Sequence, residues 1–598
     1  MTRATATVGL ALVSQSVYLI ALAATDGYDA ARHGELLRIV ATFATVSAVF
    51  VFVSLTAPRK GRLGVAITFA ALAAFVLLSF ARYQTAGSFD FAFAYYNVRE
   101  LATPLGRRIV GSHVRVHEIV LLLAAPLVGA GYAARAQAAR WPRRARRAAI
   151  AVCAVVLVTL PVLHVSTHDT LTSFVASAIR FWGESREADA SEAQTPWPLV
   201  HDFTPSDRAR AIAGESKKPH VILLFLESWS ELYTDRGFTP VFDAHRKTGL
   251  TLDHFYGNSV QSSRGRYSTL CSIVPMYREK DVFALEDAPL HCLPKVMAEA
   301  GYRTIISSAS DEPEFERSDA FFRQIGFAET HWEDPSERGR DPRVWGAGLE
   351  DDEFYRRFFA MLDARTDAPL FAVAINASNH YPFDAGARRE QPGFPTKYGR
   401  RYVGSLEAAD AWLATFFAEL EKRPALRDAI VILVGDHSFP ADEHGVHFNG
   451  MGAQEESFRT GFALLWPGHV APERDTTQTA SQLDIAPTIT DLAGLRYVSQ
   501  FQGRSLFRGD GVRPPAPMVQ PYDGVRLVAV RWPYKLERHE SAQQEHLYDL
   551  RADPDESSDR IDDPLLASEL AALRAGVGKI RTTQSIALER RIWPRGLP

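Results

Sequence analysis

Two apolar runs in this sequence stop at residues able to hold a metal. His220–Leu226 (HVILLFL) leads into Glu227 and Ser228, and Ala429–Val434 leads through Gly435 into Asp436 and His437. Carboxylates and imidazole together suit a divalent transition metal such as zinc or manganese. Either pair alone reads more readily as a helix cap or a solvated loop. Two such ends on one sheet shift the balance. Between them, Asn258–Pro275 (NSVQSSRGRYSTLCSIVP) places Ser262 and Ser263 before Arg264, Gly265, Arg266 and an apolar helical stretch. A hydroxyl at a helix N-terminus and near a metal has a lowered pKa and becomes a nucleophile. The same serines suit simple N-capping, and this segment alone leaves both readings open.

For these residues to meet, the apolar runs must lie side by side. His220–Leu226 is short and rich in branched residues, as a buried parallel strand requires. Tyr302–Ile306, Leu370–Ile375, Ala429–Val434 and Gly461–Leu465 are further strand candidates, and Leu293–Ala300 and Val403–Glu419 read as helices. Strands alternating with helices predict an α/β domain with a mostly parallel sheet covered by helices on both faces. In such folds ligands bind beyond the carboxyl ends of the strands, where Glu227 and Asp436 would stand.

The whole-chain figures exclude little. The 598 residues are too many for one ordinary domain, with 46% apolar and 23% charged residues and a net charge of −4. That small charge gives no global basic field, so no nucleic-acid partner is expected. Of three cysteines, Cys153 lies in an apolar run; Cys271 and Cys292 could pair, but their spacing alone is weak evidence and reduced, buried thiols are expected, so cysteine usage does not fix the compartment.

The averages hide an asymmetry. A bilayer-crossing helix needs about 20 apolar residues. Thr7–Ala24, Ile39–Ala57, Gly64–Ala81, Val116–Ala134 and Ala148–Val165 are candidate spans, so residues 1–165 read as a multi-pass anchor. Arg59, Lys60 and Arg62 follow the second span, and Arg135, Arg140, Arg143, Arg144, Arg146 and Arg147 follow the fourth. Basic loops stay inside. An odd number of spans then delivers the rest of the chain to the outside. The loop carrying Arg82, Arg99, Arg107 and Arg108 counts against this, but its charges are sparser. Leu171, Phe174, Val175, Ala178, Phe181 and Trp182 recur at helical spacing, which suits a helix on the outer membrane surface or one packed on the catalytic domain. Glu184–Lys218, polar and carrying Pro196, Pro198 and Pro205, reads as a linker. Residues 166–218 thus join the anchor to an extracytoplasmic domain over 219–598.

Taken together, FLESW at Phe225–Trp229, TPVFD at Thr239–Asp243, SVQSSRG, SNHYPF at Ser378–Phe383 and GDH at Gly435–His437 resemble the alkaline phosphatase/sulfatase superfamily. The branch most similar is the membrane-anchored, lipoteichoic acid synthase-type phosphoglycerol transferases. DIAPTI at Asp484–Ile489, GRSL at Gly503–Leu506 and LYDLRADPDE at Leu547–Glu556 are similar to that superfamily's closing segment. The resemblance implies that Glu227, Asp436 and His437 bind a divalent metal, Mn or Zn. It implies that Ser262 is both nucleophile and metal ligand. His380 would hold the phosphate or protonate the leaving group, and Phe315 and Arg317 would contact the head group. His444 and His447 follow GDH closely; either would bind phosphate or stand as a solvated loop histidine.

The implied reaction moves a phosphoglycerol or phosphoethanolamine group from a phospholipid donor to a glycan or glycolipid acceptor, at a bacterial-type cell membrane. The sequence departs from the family in two places. Serine replaces the family's threonine nucleophile, and Ile305–Asp311 lacks the histidine that precedes the aromatic–arginine pair. Rival readings are a phosphodiesterase using water, a sulfatase and a non-catalytic membrane sensor. Against the sulfatase, Ser262 and Arg266 match its Cys/Ser-x-Pro-x-Arg motif only at the outer positions, since Arg264 replaces the proline.

Overall fold

In the computed structural model, the described residues are chiefly 143–162, 195–214, 218–334, 348–383, 389–446, 452–509, 511–522, 524–540 and 543–594. The predicted spans Thr7–Ala24, Ile39–Ala57, Gly64–Ala81 and Val116–Ala134, and nearly all of the predicted surface helix, lie outside them. The fifth predicted span overlaps a helix at Arg143–Val162. Among the described residues no helix is long and apolar enough to cross a membrane. The chain divides into two compact units. One includes Arg108–Arg186; the other includes Glu187–Phe394 and Tyr398–Pro598 and carries both sheets described next.

The main sheet has eight strands among the described residues: β1 (Val221–Leu226), β2 (Leu250–Tyr256), β3 (Arg303–Ser308), β4 (Glu329–Trp332), β5 (Leu370–Ile375), β6 (Ile430–Gly435), β7 (Phe462–Leu465) and β8 (Glu473–Ser481). Their order is β8-β2-β7-β6-β1-β5-β3-β4. β7 runs antiparallel to both neighbours, and the other pairings are parallel. The sheet is therefore mixed, with one reversed strand near its middle. β1 sits centrally and is buried along its whole length. Its alternate residues Val221, Leu223 and Phe225 join a core with Phe371, Val373 and Ile375 of β5 and Ile430, Ile432 and Val434 of β6. Ile222, Leu224 and Leu226 point the other way and are equally buried. Each such side chain contributes about 1.5–3 kcal/mol on burial, which is why β1 has no polar position.

Helices α1 (Ser262–Cys271), α2 (Leu293–Glu299), α3 (Asp351–Asp363), α4 (Lys397–Glu421) and α5 (Ile485–Leu492) intervene between the strands. Leu270, Met297 and Ile489 place α1, α2 and α5 on the core face that holds Val221 and Phe225. α3 and α4 pack on each other through Tyr355, Phe359 and Phe416. Cys271, the last residue of α1, is disulfide-bonded to Cys292, just before α2. The expected pair of reduced thiols is corrected: both are fully buried, and the fold brings them into bonding distance across one helix-to-helix connection. The predicted linker is also partly ordered. His201–Phe203 pairs with Tyr497–Ser499, and Asp207–Ala213 is a helix capped by Ser206.

A second, antiparallel sheet of β9 (Ala516–Gln520), β10 (Arg526–Arg531), β11 (Tyr534–His539) and β12 (Gln544–Asp549) is covered by α6 (Ala567–Leu588). Leu570, Leu573, Val577 and Ile580 of α6 pack on Leu527, Ala529, Leu536 and Leu547. The two sheets are stitched beside Ser262. Asn258 donates to the Pro517 carbonyl at 2.7 Å, and Ser259 donates to the Val519 carbonyl at 2.9 Å. Lys535 of β11 is buried and donates to Glu556 at 2.6 Å and to the Ala453 carbonyl. Burial raises Glu556 to about 7 even against this ammonium. Removing one partner of a buried pair costs about 3–5 kcal/mol, because the other charge is left stranded. Lys535→Met is therefore expected to lower the thermal midpoint by several degrees, read by calorimetry; an unchanged midpoint would show that Glu556 finds another partner.

Candidate metal and nucleophile site

Four connections leave the carboxyl edge of the main sheet and converge. Glu227 and Ser228 follow β1, Ser262 opens α1 after β2, Asn376–His380 follow β5, and Asp436 and His437 follow β6. Leu226 pairs in register with Gly435, so the next residues, Glu227 and Asp436, emerge side by side. Two glycines permit this. A Cβ on Gly435 would lie 1.8 Å from Thr460 Oγ1, and one on Gly265 would lie 1.9 Å from the Asp436 carbonyl oxygen. Ser228 has a left-handed φ of 52°, which turns its N–H onto Asp436 Oδ1 at 2.9 Å.

The ligand atoms of Glu227, Asp436 and His437 all lie within 4.8 Å of one another, and the three residues are buried. Asp436 Oδ1 also accepts the His437 N–H at 2.8 Å. His437 Nδ1 faces the Ser438 carbonyl at 2.7 Å. A carbonyl only accepts, so Nδ1 carries the proton, and the Nε2 lone pair is left 3.6 Å from Glu227 Oε1. Two buried carboxylate groups and an imidazole nitrogen form a donor set that fits a divalent ion. Burial, then the charge of Asp436, pushes Glu227 well above the usual carboxylate range. Burial also acts against ionised Asp436, but His437, Arg266 and the Ser228 N–H hold it below that range.

Ser262 Oγ is 3.4 Å from Glu227 Oε2. Arg266, one helical turn further along α1, lies 3.5 Å from both Glu227 Oε2 and Asp436 Oδ2. It is a site residue that the motif reading used only to weigh a sulfatase. The signal was available: residues four apart share a helix face. His380 is half-buried, its Nδ1 donating to the Tyr381 carbonyl at 2.7 Å. Burial lowers its pKa, against the hydrogen bond to the Tyr381 carbonyl and the charge of Asp436, which act to raise it. The structure thus brings Glu227, Ser262, His380, Asp436 and His437 to one edge.

The remaining expected residues lie differently. Phe315, half-buried, and Arg317 occupy a turn beyond the carboxyl end of β3, where Arg317 pairs with Glu286 at 3.0 Å and donates to the Val282 carbonyl. His447 lies outside the described residues. His444 pairs with buried Glu456 at 2.9 Å. Several supporting residues carried no sequence signal of their own, Asn379 excepted, since it lies within SNHYPF. Asn376 accepts the Glu227 N–H at 2.7 Å, Asn379 donates to the Glu227 and Ser228 carbonyls, and Tyr402 donates to the Ser228 carbonyl. Gln482 donates to the Gly435 and Asp436 carbonyls at 2.8 and 2.7 Å.

The chain, with this fold and site, can be set beside known proteins. Residues 219–495 match the family described as Sulfatase. Its relatives include a lipoteichoic acid synthase of Staphylococcus saprophyticus, 25% identical over 309 residues, covering 47% of this chain and 46% of the relative. One from Staphylococcus aureus is 24% identical over 314 residues with the same coverage. The chain thus spans about half the length of the curated relatives it matches. Among solved structures, an alkaline phosphatase-superfamily protein from Vibrio parahaemolyticus superposes with a TM-score of 0.55 at 16% identity, covering 69% of this chain and 96% of that one. The lipoteichoic acid synthase LtaP of Listeria monocytogenes gives 0.51 at 18% identity, covering 64% and 97%. The superfamily resemblance read from the motifs is borne out.

The hydrogen bond that the His444 ring donates to Glu456 raises His444 from an ordinary value of about 6.5 to about 9. A raised histidine contributes stability in full below the unfolded value and loses it as pH rises through the folded one. Between pH 7 and pH 9.5 the thermal midpoint is expected to fall more in the wild type than in His444→Gln. Parallel pH profiles of the two proteins would remove His444 as a contributor.

Proposed function

We propose that this domain transfers a phosphoglycerol or phosphoethanolamine group from a membrane phospholipid to a cell-envelope glycan or lipid acceptor, through a phosphoseryl intermediate on Ser262. The observation that carries this reading is Ser262 Oγ at 3.4 Å from Glu227 Oε2, on the rim of a buried Glu227–Asp436–His437 cluster. The names of the Staphylococcus relatives support it. The Cys271–Cys292 disulfide supports an extracytoplasmic position, since such bonds persist in oxidising compartments. The candidate spans 1–165 would hold the domain at the membrane surface.

Glu227, Asp436 and His437 would hold the divalent ion, with Ser262 Oγ as a further ligand. A bound Mn or Zn ion supplies charge neutralisation and a lowered pKa for a neighbouring hydroxyl. In the first displacement, Ser262 gives up its hydroxyl proton and its Oγ bonds to phosphorus, while the bond from phosphorus to the diacylglycerol oxygen breaks. That oxygen takes up a proton and leaves as diacylglycerol. In the second, an acceptor hydroxyl bonds to phosphorus, the Ser262 Oγ–P bond breaks, and the serine proton is restored. α1 directs its N-terminal partial positive charge toward the developing anion. Arg266, fixed by both carboxylates, adds a full positive charge on the same side. His380 donates its Nδ1 proton to Tyr381, which leaves Nε2 for proton exchange. Phe315, Arg317 and His447 remain candidates for head-group contacts.

The test is to give the purified full-length chain, with Mn²⁺, labelled phosphatidylglycerol or phosphatidylethanolamine. One lipid is expected to release diacylglycerol and leave a mass adduct on Ser262 that Ser262→Ala lacks. An unchanged adduct in Ser262→Ala would remove the nucleophile assignment, and no diacylglycerol from either lipid would remove the lipid donor. His380→Ala is expected to slow release by about 10²- to 10⁴-fold, the usual worth of general acid–base catalysis. Wild-type rates in that variant would leave His380 without a proton-transfer role.

A further inference from the structure

We propose that Asp351 is a positioning residue, whose carboxylate sets the metal-binding Glu227 and the His380 loop through a single hydrogen-bond relay. Asp351 is the first residue of α3 and is fully buried. Its neighbours in the same turn have ordinary surface work: Asp352 pairs with Arg356, and Glu353 pairs with Arg356 and Arg357. Asp351 alone turns inward. Its Oδ1 accepts the N–H groups of Ala377 and Ser378 at 3.1 and 3.0 Å, and its Oδ2 accepts Asn376 Nδ2 at 2.9 Å. Its own N–H donates to Ser378 Oγ at 3.0 Å. The same Asn376 amide accepts the Glu227 N–H at 2.7 Å through Oδ1.

The chemistry of these contacts separates positioning from simple capping. An acid in the first turn of a helix is stabilised by the helix dipole wherever it points. The N–H groups bound by Asp351 belong instead to the loop after β5, the loop that carries Asn379 and His380. Asp351 accepts three hydrogen bonds through its carboxylate and donates none from it. This role needs an acceptor at both oxygens; an amide would set its own NH₂ against that of Asn376. The relay fixes the orientation of Asn376, and Asn376 fixes the backbone at Glu227. Burying a carboxylate is unfavourable by several kcal/mol, and the three hydrogen bonds that Asp351 accepts from the loop after β5 are what offset it. The inference rests on Glu227 as a metal ligand, and does not depend on which group is transferred.

Mn²⁺ binding therefore tests it, with no transfer assay. Free Mn²⁺ is read by electron paramagnetic resonance for the full chain in detergent. Asp351→Asn is expected to weaken Mn²⁺ binding about 10- to 100-fold, the range for lost partners of metal ligands. The double variant Asp351→Asn, Asn376→Asp exchanges donor and acceptor along the relay and leaves every bond possible. It is expected to recover most of the lost affinity, whereas a merely structural loss would not be repaired by a second substitution. Wild-type affinity in Asp351→Asn, or a double variant no better than the single, overturns the relay. Should Asp351→Asn fail to fold, the double variant decides alone: folded and binding supports the relay, folded and not binding overturns it. Mn²⁺ binding by the wild type without any lipid turnover would sink the proposed reaction and leave this inference standing. No binding of Mn²⁺ by the wild type would sink the inference with its metal site.

Discussion

Two carboxylates emerge next to each other from the buried centre of a sheet, and much of the surrounding structure answers that fact. The parallel register of β1 and β6 leaves no choice, because pairing Leu226 with Gly435 sets Glu227 beside Asp436. Two like charges in a low-dielectric interior repel strongly. The protein offsets this from several directions. Arg266 approaches both groups, the Ser228 and His437 N–H groups converge on one oxygen of Asp436, and Ser228 Oγ donates to Glu227. A pair of carboxylates so compensated is also a cation-binding face, so the electrostatic difficulty and the chemical utility share one origin.

The same constraint explains where small residues stand. For Arg266 to reach the carboxylates, α1 must come down on the end of β6, and only glycine at 265 fits beneath the Asp436 carbonyl. For Thr460 to stand against the end of β6, position 435 must also lack a side chain. The reversed strand β7 belongs to this arrangement. Running against its neighbours, it begins at the edge where they end, and so brings Thr460 and Gly461 to the site from the opposite direction.

How much of this was legible in the sequence follows from which signals are local. β1, β5 and β6 are apolar throughout, and their predicted limits fall within one residue of the observed ones. β2 and β8 were missed for physical reasons. LTLDHFY interrupts its buried run with Asp253, which pairs with Arg474. ERDTTQTAS is an edge strand, mostly exposed over its first six residues. Neither shows the periodicity of a covered strand. Glu227, Asp436 and His437 were readable because they follow apolar runs, and Ser262 because a helical stretch follows it. Asn376, Gln482, Tyr402 and Asp351 were not, since a polar side chain that bonds to a distant backbone leaves no pattern in its own neighbourhood. The reduced-thiol expectation failed likewise: 21 residues of separation do not reveal that α1 and α2 meet.

The limits of the head-group reading have a structural cause as well. Arg266 is held by two charged partners that also define the site, so its place is set by the same forces that assemble the catalytic edge. Arg317 is held by Glu286 and the Val282 carbonyl, on a turn where Glu316 and Arg317 both take left-handed φ values. Its position therefore follows from the local connection after β3 and not from Glu227 or Asp436. Glu227, Asp436, Ser262 and Arg266 contact one another and form a single unit. Arg317 is bound to its own surroundings instead. The carboxylate cluster and the turn that carries Arg317 are thus built on separate supports.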